Sequence, residues 1–449
     1  MTEPSMRVLV TGATGYVGGR LAPMLVEAGH RVRALARDPD KFRGVPWAAD
    51  VEVVRGDLTD PESLEQACRD IDVVYYLVHS MGTRGEFIEA ERRSAQNLAA
   101  AAHRAGVGRI VYLGGLHAES DQLSTHLRSR SQVGEILLNC GVPTLALQAG
   151  TVIGSGSASF ELIRHLTNRL PVMTTPRWVN NRIQPIAVRD VLHYLLAAAT
   201  APLPHSRTYD IGGPDVLRYG EMMQIYAEVA GLARRRILVL PVLTPKLAGL
   251  WIGLVTPVPP SIGRALIESL STDAVATEND IDTIIAAPPG GLTTYRDAVA
   301  LTLRGSLDGQ DETTWATASP TDRPAEPLPS DPSWAGDVSY ADERSIDCRA
   351  PLDRVWRTVE QLARENGGRI ERVEAPHLLR QRTQTAAPGG AWHEWRLEPR
   401  GTDTTRLRLR TVFFPKGLAG QLYWYGSAPM RGIAATRAIR AVAARVSAG

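Results

Sequence analysis

Lysine is almost missing from this chain of 449 residues: of fifty basic side chains only Lys41, Lys246 and Lys416 are lysines. Any chemistry that pairs a lysine with a second residue at fixed spacing can therefore be checked at three positions. Cysteine is equally scarce. Cys68, Cys140 and Cys348 lie far apart and form no Cys-x-x-Cys pair, which excludes a disulfide framework and a structural zinc site and fits a reducing compartment. No metal is expected. Long apolar runs are lacking too. The longest, LAGLWIGLVTPV from Leu247 to Val258, covers twelve residues and ends in prolines, short of the ~20 that span a bilayer; it predicts a buried or substrate-facing helix and no membrane span. A strand-like run begins at Met6, leaving no room before it for a signal peptide, so a cytoplasmic protein is expected. Finally, the formal net charge is only +2, so nothing global draws the chain to nucleic acid.

The length allows two or three domains. From Met6 to Gln148 short β-branched runs (RVLVT, RVRALA, VEVVRG, DVVYYLV, RIVYLGG and TLALQAG) alternate with helical stretches. That alternation predicts repeated βαβ units: an α/β fold, a doubly wound parallel sheet of Rossmann type. An alanine-rich helix is expected over Arg84 to Ala105. Beyond Gly150 a glycine and serine loop, helices near Phe160 to Asn168 and Tyr219 to Gly231, and a strand at Arg207 to Ile211 suggest a substrate lobe completing a first domain, 1–305. Residues 306–336, rich in Pro, Ser, Thr and Asp, read as a linker.

Residues 337–449 begin with the strand-like SIDCRAP and an amphipathic helix at Leu352 to Glu365, continue through RLRLRTVFF at Arg406 to Phe414 and end in Ala/Arg-rich helix. This order predicts an α+β domain of helix-grip type. Basic residues outnumber acids there by 19 to 12. Without interleaved aromatics they read as solvated faces, not a nucleic-acid surface.

The chemistry is carried first by TGATGYVGG, Thr11 to Gly19, directly after the first strand. Gly12 permits the tight turn, Gly15 lets backbone amides approach a pyrophosphate, and Gly18 lets the helix pack closely on the sheet. Thr14, Tyr16 and Val17 complete the expected cofactor loop. At the end of the second strand Arg37 is placed to meet a 2′-phosphate while Asp38 offers an acid for the ribose hydroxyls, and the pair favours NADP(H) over NAD(H). Asp57 and Leu58 frame the adenine, or Asp57 caps a helix. Val78 and His79 end the fourth strand where the dinucleotide must run, with a structural role for His79 left open.

These residues resemble the extended and atypical short-chain dehydrogenase/reductases, particularly their NmrA-like branch. The resemblance covers roughly Met6 to Arg304 and rests on TGATGYVGG, GDLTD at Gly56 to Asp60, LVHSMG at Leu77 to Gly82 and RIQPIAVRD at Arg182 to Asp190. It implies an NAD(P)H-dependent oxidoreductase. Residues 338–449 resemble a START-like, polyketide-cyclase-like domain of unknown role.

One departure from the family is decisive for mechanism. Its members use Tyr-x-x-x-Lys, yet the residues four positions before the three lysines are Arg37, Val242 and Val412, so the pair is absent. In its place, after the fifth strand, STHLRSR sets His126 and Arg130 four apart on one helical face. The family's serine is replaced by Gly114 and Gly115; Ser120 is near without an assigned role. His126 then serves as proton donor or acceptor, and Arg130, which cannot act as a base, holds a ribose or an anionic substrate. Alternatively both only brace the helix. Asn97 orients water or substrate, or simply faces solvent. Trp178, Arg182, Tyr219 and Trp251 are candidates for a substrate pocket.

The chain is thus expected to transfer hydride to or from a carbonyl, enone or imine of an apolar small molecule. An epimerase or dehydratase and a non-catalytic redox sensor are the competing readings. A homodimer is compatible with all three.

Overall fold

The computed structural model describes residues 5–79, 86–117, 124–239, 256–270, 272–307, 334, 339–365, 367–383 and 387–448. Trp251, Ser120, the Ser80–Gly82 end of LVHSMG, most of the apolar run at 247–258 and nearly all of the expected linker lie outside the described residues. The chain divides into two compact units, Met1–Thr167 with Pro171–Gly336, and Asn168–Leu170 with Asp337–Gly449.

In the first unit the alternating pattern yields β1 (Arg7–Thr11), α1 (Gly18–Glu27), β2 (Arg31–Ala36), β3 (Glu52–Arg55), α2 (Pro61–Ala67), β4 (Val73–Tyr76), α3 (Glu86–Arg104), β5 (Arg109–Gly115), α4 (Thr125–Leu138), β6 (Thr144–Ala149) and β7 (Arg207–Ile211). All seven strands are parallel, in the order β7-β6-β5-β4-β1-β2-β3. The sheet is buried on both faces, which is why its strands read as near-continuous apolar runs. Along β1, Val8 and Val10 face one core with Leu21 and Leu25 of α1, while Leu9 faces the other with Leu98 and Ala102 of α3. Each fully buried Leu or Val contributes about 1.5–3 kcal/mol. Strand order reverses beside β1, so a crevice opens at the C-terminal ends of β1 and β4, the place where such sheets bind ligands.

The remainder of this unit adds α5 (Ala158–Arg169), α6 (Val188–Ala197), α7 (Tyr219–Val229), α8 (Pro260–Ser269) and α9 (Tyr295–Leu307) with short paired strands. Helix α6 covers the sheet beside α1, through Val191 and Leu195. Near the crevice the segment after β6 is held by residues distant in sequence: Gln184 N–H donates to Ala274, and Ala274 N–H to Arg182, both at 2.9 Å.

The second unit runs β8 (Tyr340–Cys348), α10 (Leu352–Glu365), β9 (Arg369–Glu374), β10 (Leu378–Thr383), β11 (Gly389–Pro399), β12 (Thr405–Pro415), α11 (Gly417–Gly426) and α12 (Ala428–Ala448). Its five strands form an antiparallel sheet, β8-β12-β11-β10-β9. Period-2 alternation places Leu407, Leu409, Trp395 and Leu379 on one face, where α10 (Val355, Val359) and α12 (Ile439, Val442) cover them. On the other face arginines and acids alternate across strands. Glu394, only 1 % exposed, receives Arg380 at 2.9 Å and Arg396 at 2.7 Å. Burial raises its carboxyl, but the bonds from Arg396 and Arg380 outweigh it and leave the group below its ordinary value. The basic excess of this unit is thus partly consumed in ladders such as Arg406 with Asp347 at 2.8 Å. Among the described residues no helix is long and apolar enough to cross a membrane.

Candidate functional site

The first wall of the crevice is the loop between β1 and α1. Gly12 adopts φ +78°, a conformation L side chains avoid, and its carbonyl accepts the Gly15 amide at 2.8 Å. Gly18 is required inside the loop itself: a Cβ there would stand 2.3 Å from the Gly12 carbonyl oxygen. The close approach expected of Gly18 is therefore to the turn, not to the sheet. Thr14 and Val17 are half-buried and Gly15 is exposed. Tyr16 is steadied by Arg20, whose guanidinium lies 4.2 Å from the ring centroid and donates to the Tyr16 carbonyl at 2.9 Å.

At the end of β2 the two candidates separate. Asp38 caps the short 3-10 turn Pro39–Phe42, accepting from the Asp40 amide at 3.2 Å. Arg37 is exposed, with no carboxylate partner among the described residues. Asp57 after β3 accepts from the Thr59 amide and hydroxyl at 2.9 and 2.8 Å and so braces the turn before α2; the helix itself is capped by Asp60, which accepts from the Glu62 amide at 3.2 Å. Leu58 is buried, and its carbonyl accepts from Asn97 at 3.0 Å. Asn97, half-buried, ties α3 to this loop. Val78 packs against Gly12.

The second wall is α4. Ser124 caps it, accepting from the Leu127 amide at 3.2 Å, and a short bond from buried Ser129 to buried Glu91 fastens it to α3. One turn apart on that helix, His126 and Arg130 line a cavity of about 250 Å³ together with Tyr16, Val17 and His79. Arg130 fits because Gly115 has no side chain: a Cβ there would lie 2.9 Å from the guanidinium. Tyr112 beneath them donates to the Arg130 carbonyl at 2.9 Å.

Burial first, and the Arg130 charge second, hold His126 below the ordinary histidine value. His79 is driven to about 3 by burial and by Arg130, a hydrogen bond to the Leu113 carbonyl opposing only part of the shift. Its ring also meets Tyr112 edge-on, centroids 6.2 Å apart. Among the described residues, the cavity lining therefore sets Arg130 beside two imidazoles whose protonated forms are disfavoured.

The substrate-pocket candidates divide. Tyr219, 1 % exposed, lines the cavity. Trp178 stands behind it in edge-on contact at 5.5 Å and does not line it. Arg182 is a surface residue paired with Asp273 at 3.1 Å, and its expected place in the pocket is corrected accordingly. Trp251 lies outside the described residues. Sequence reasoning missed Ser157, Ile183, Leu266 and Ser269, which form the far wall. Only the glycine and serine run at 154–157 signalled any of them.

Known proteins share the sequence and fold of this region. Residues 12–139 match the family described as NAD(P)H-binding. That match lies within the N-terminal unit. The chain is similar over 233 residues, at 29% identity, to (4-alkanoyl-5-oxo-2,5-dihydrofuran-3-yl)methyl phosphate reductase of Streptomyces griseus, covering 50% of this chain and 74% of that one. To ceramide reductase of Caulobacter vibrioides it is 29% identical over 236 residues, 52% and 73% of the two chains. The triphenylmethane reductase of a Citrobacter species, solved with NADP(H), superposes with a TM-score of 0.51 at 20% identity, over 66% of this chain and 98% of that one; this likeness shows the Rossmann-type fold. These relatives are of extended short-chain dehydrogenase/reductase type, and those named above are reductases. Residues 369–438 match a family described as a protein of unknown function, DUF2867.

Proposed function

We propose that the protein is an NADP(H)-dependent reductase of a carbonyl, enone or imine on a largely apolar small molecule. The observation that carries this reading is the convergence of His126 and Arg130 on a cavity that also receives Tyr16 and Val17 of the dinucleotide loop. The loop fits a dinucleotide: Gly12 and Gly18 permit its tight turn, where a Cβ at either would crowd neighbouring backbone, and exposed Gly15 leaves the start of α1 open to a pyrophosphate. A bound nicotinamide would supply the hydride.

The chain's own residues then have separate tasks. Arg130, a permanent cation inside a half-enclosed cavity, stabilises the negative charge that develops on the acceptor oxygen or nitrogen. His126, in its protonated form, delivers the proton from an imidazole nitrogen; its lowered pKa makes that form scarce at pH 7 but a stronger acid. Neutral His79 and Tyr16 line the cavity and position the reactants. Val17, Leu127, Ile183 and Leu266 supply apolar contact, which supports an apolar substrate. Arg37, freed by the engagement of Asp38 as a cap, favours a 2′-phosphate and hence NADP(H). The similarity to reductases, one of which is named for ceramide, supports the same direction of reaction.

Fluorescence titration with NADPH and NADH, followed by incubation of the NADPH-loaded protein with apolar ketones, enones and imines, tests this. Tighter binding of NADPH and its oxidation with at least one class are expected. Tight binding without oxidation by any would replace the reductase by a dinucleotide-sensing protein, and equal affinity for the two cofactors would remove the role of Arg37.

A further inference from the structure

The second unit carries an apolar surface on its outside. In α11, Gly417, Gly420 and Trp424 face inward, while Leu418, Leu422 and Tyr425, at positions i, i+4 and i+7, face out. Leu422 is 64 %, Tyr425 66 % and, at the start of α12, Met430 70 % exposed. Ile433 follows on the same outward stripe of α12, opposite buried Ala435, Ile439 and Val442. No charged residue occurs from Gly417 to Met430. Isolated exposed leucines are ordinary, but clustered ones mark an interaction surface.

The charge carried by this stretch of sequence has one sign, with Asp342 of β8 standing near Arg431. From Thr404 to Gly449 the sequence contains no Asp or Glu, against eight Arg and Lys. Of these, Lys416, Arg437 and Arg440 are exposed and pair with no carboxylate among the described residues. Arg437 and Arg440 continue the stripe begun by Met430 and Ile433, at i+7 and i+10 from Met430. Lys416 stands at the other end, where α11 begins.

We propose that the α11–α12 corner docks on an anionic phospholipid surface. Leu418, Leu422, Met430 and Ile433 enter the acyl boundary, Tyr425 sits at headgroup level, and Lys416, Arg437 and Arg440 meet the phosphates. A protein partner with a matching apolar face would not by itself call for unpaired cations at both ends of the patch, whereas an anionic membrane attracts each basic residue near its surface, strengthening binding about fivefold apiece. The docking is peripheral, since no described helix can cross a bilayer.

Cosedimentation of the full chain with phosphatidylcholine vesicles, with and without phosphatidylglycerol, tests this. Binding is expected only when phosphatidylglycerol is present, with weakening as salt is raised. Leu422→Asp with Met430→Asp should abolish it, and Arg437→Gln with Arg440→Gln should reduce it about tenfold or more, all with thermal unfolding unchanged because these side chains are exposed. No binding to the mixed vesicles, or binding untouched by both pairs of substitutions, overturns the proposal. So does a concentration-dependent dimer in sedimentation velocity that Leu422→Asp disrupts without any vesicle binding, which would assign the patch to a second copy of the chain.

Discussion

The two walls of the crevice are built on opposite principles. The β1–α1 loop is shaped by what its residues lack: Gly12 and Gly18 leave the backbone bare, and the carbonyl and amide groups of the turn do the shaping. The α4 wall is shaped by large side chains, His126 and Arg130, held by a capped helix that is fastened to α3 through Ser129 and Glu91. A backbone cradle tolerates little change in its few glycines. A side-chain wall tolerates exchange of its groups provided that space is exchanged with them, as Gly115 and Arg130 illustrate.

The sharpest way to separate the walls is His126→Ala. Turnover should fall by roughly 10²–10⁴-fold while dinucleotide affinity, read by fluorescence, stays within about twofold; loss of both together would show that the walls do not act independently. The pH profile of the reduction carries the same distinction. Because the His126 pKa is lowered, the protonated acid is depleted as pH rises above that value, so the rate should fall by up to about tenfold per pH unit there, and the alanine variant should flatten the profile. A flat profile in the unmodified chain would pass the proton's delivery to water.

Gly18→Ala attacks the other wall. Its new Cβ would meet the Gly12 carbonyl at 2.3 Å, and the shift of backbone this forces should cost about 1–3 kcal/mol, roughly a five- to 150-fold loss of dinucleotide affinity with the fold retained. Arg37→Ala should have a smaller effect, about five- to tenfold on NADPH and none on NADH, since an exposed cation at a phosphate is worth about 1 kcal/mol after screening. The smallest expected change follows Gly115→Ala, where the methyl displaces the flexible end of Arg130 and lowers turnover a few-fold without touching affinity for either cofactor. An unchanged rate there would show that Arg130 acts without a fixed position.

A further consequence of the side-chain wall concerns stability. His79 is neutral in the native state down to about pH 3, whereas an unfolded histidine takes up its proton near 6.5. Unfolding is therefore favoured increasingly as pH falls from about 6.5 towards 3, and thermal melts across this window should show it, with His79→Phe reducing the slope.

Reading the sequence located the β/α alternation, the glycine loop and the slot of His126 and Arg130, because each rests on local spacing: period, turn chemistry and an i, i+4 relation. The expectation for Arg182 was wrong for a physical reason. Charge alone does not indicate which way a side chain turns, and Asp273, ninety-one residues away, draws this one to the surface. Asn97 was misread for the same reason, since its partner is a carbonyl on another element. Ser157, Ile183, Leu266 and Ser269 were invisible as a group, being brought together from three distant stretches of chain.

What the sequence determined by itself was the backbone's preferences: where strands and helices form, where only glycine is tolerated, and that no Tyr-x-x-x-Lys pair exists. Tertiary structure alone decided which polar groups share a cavity, that Arg130 uses the space left open at Gly115, that protonation of two histidines beside it is disfavoured, and that an apolar patch on α11 and α12 stays uncovered. Local spacing sets torsions and faces, whereas burial, charge proximity and exposure are properties of neighbours that only the folded chain assembles.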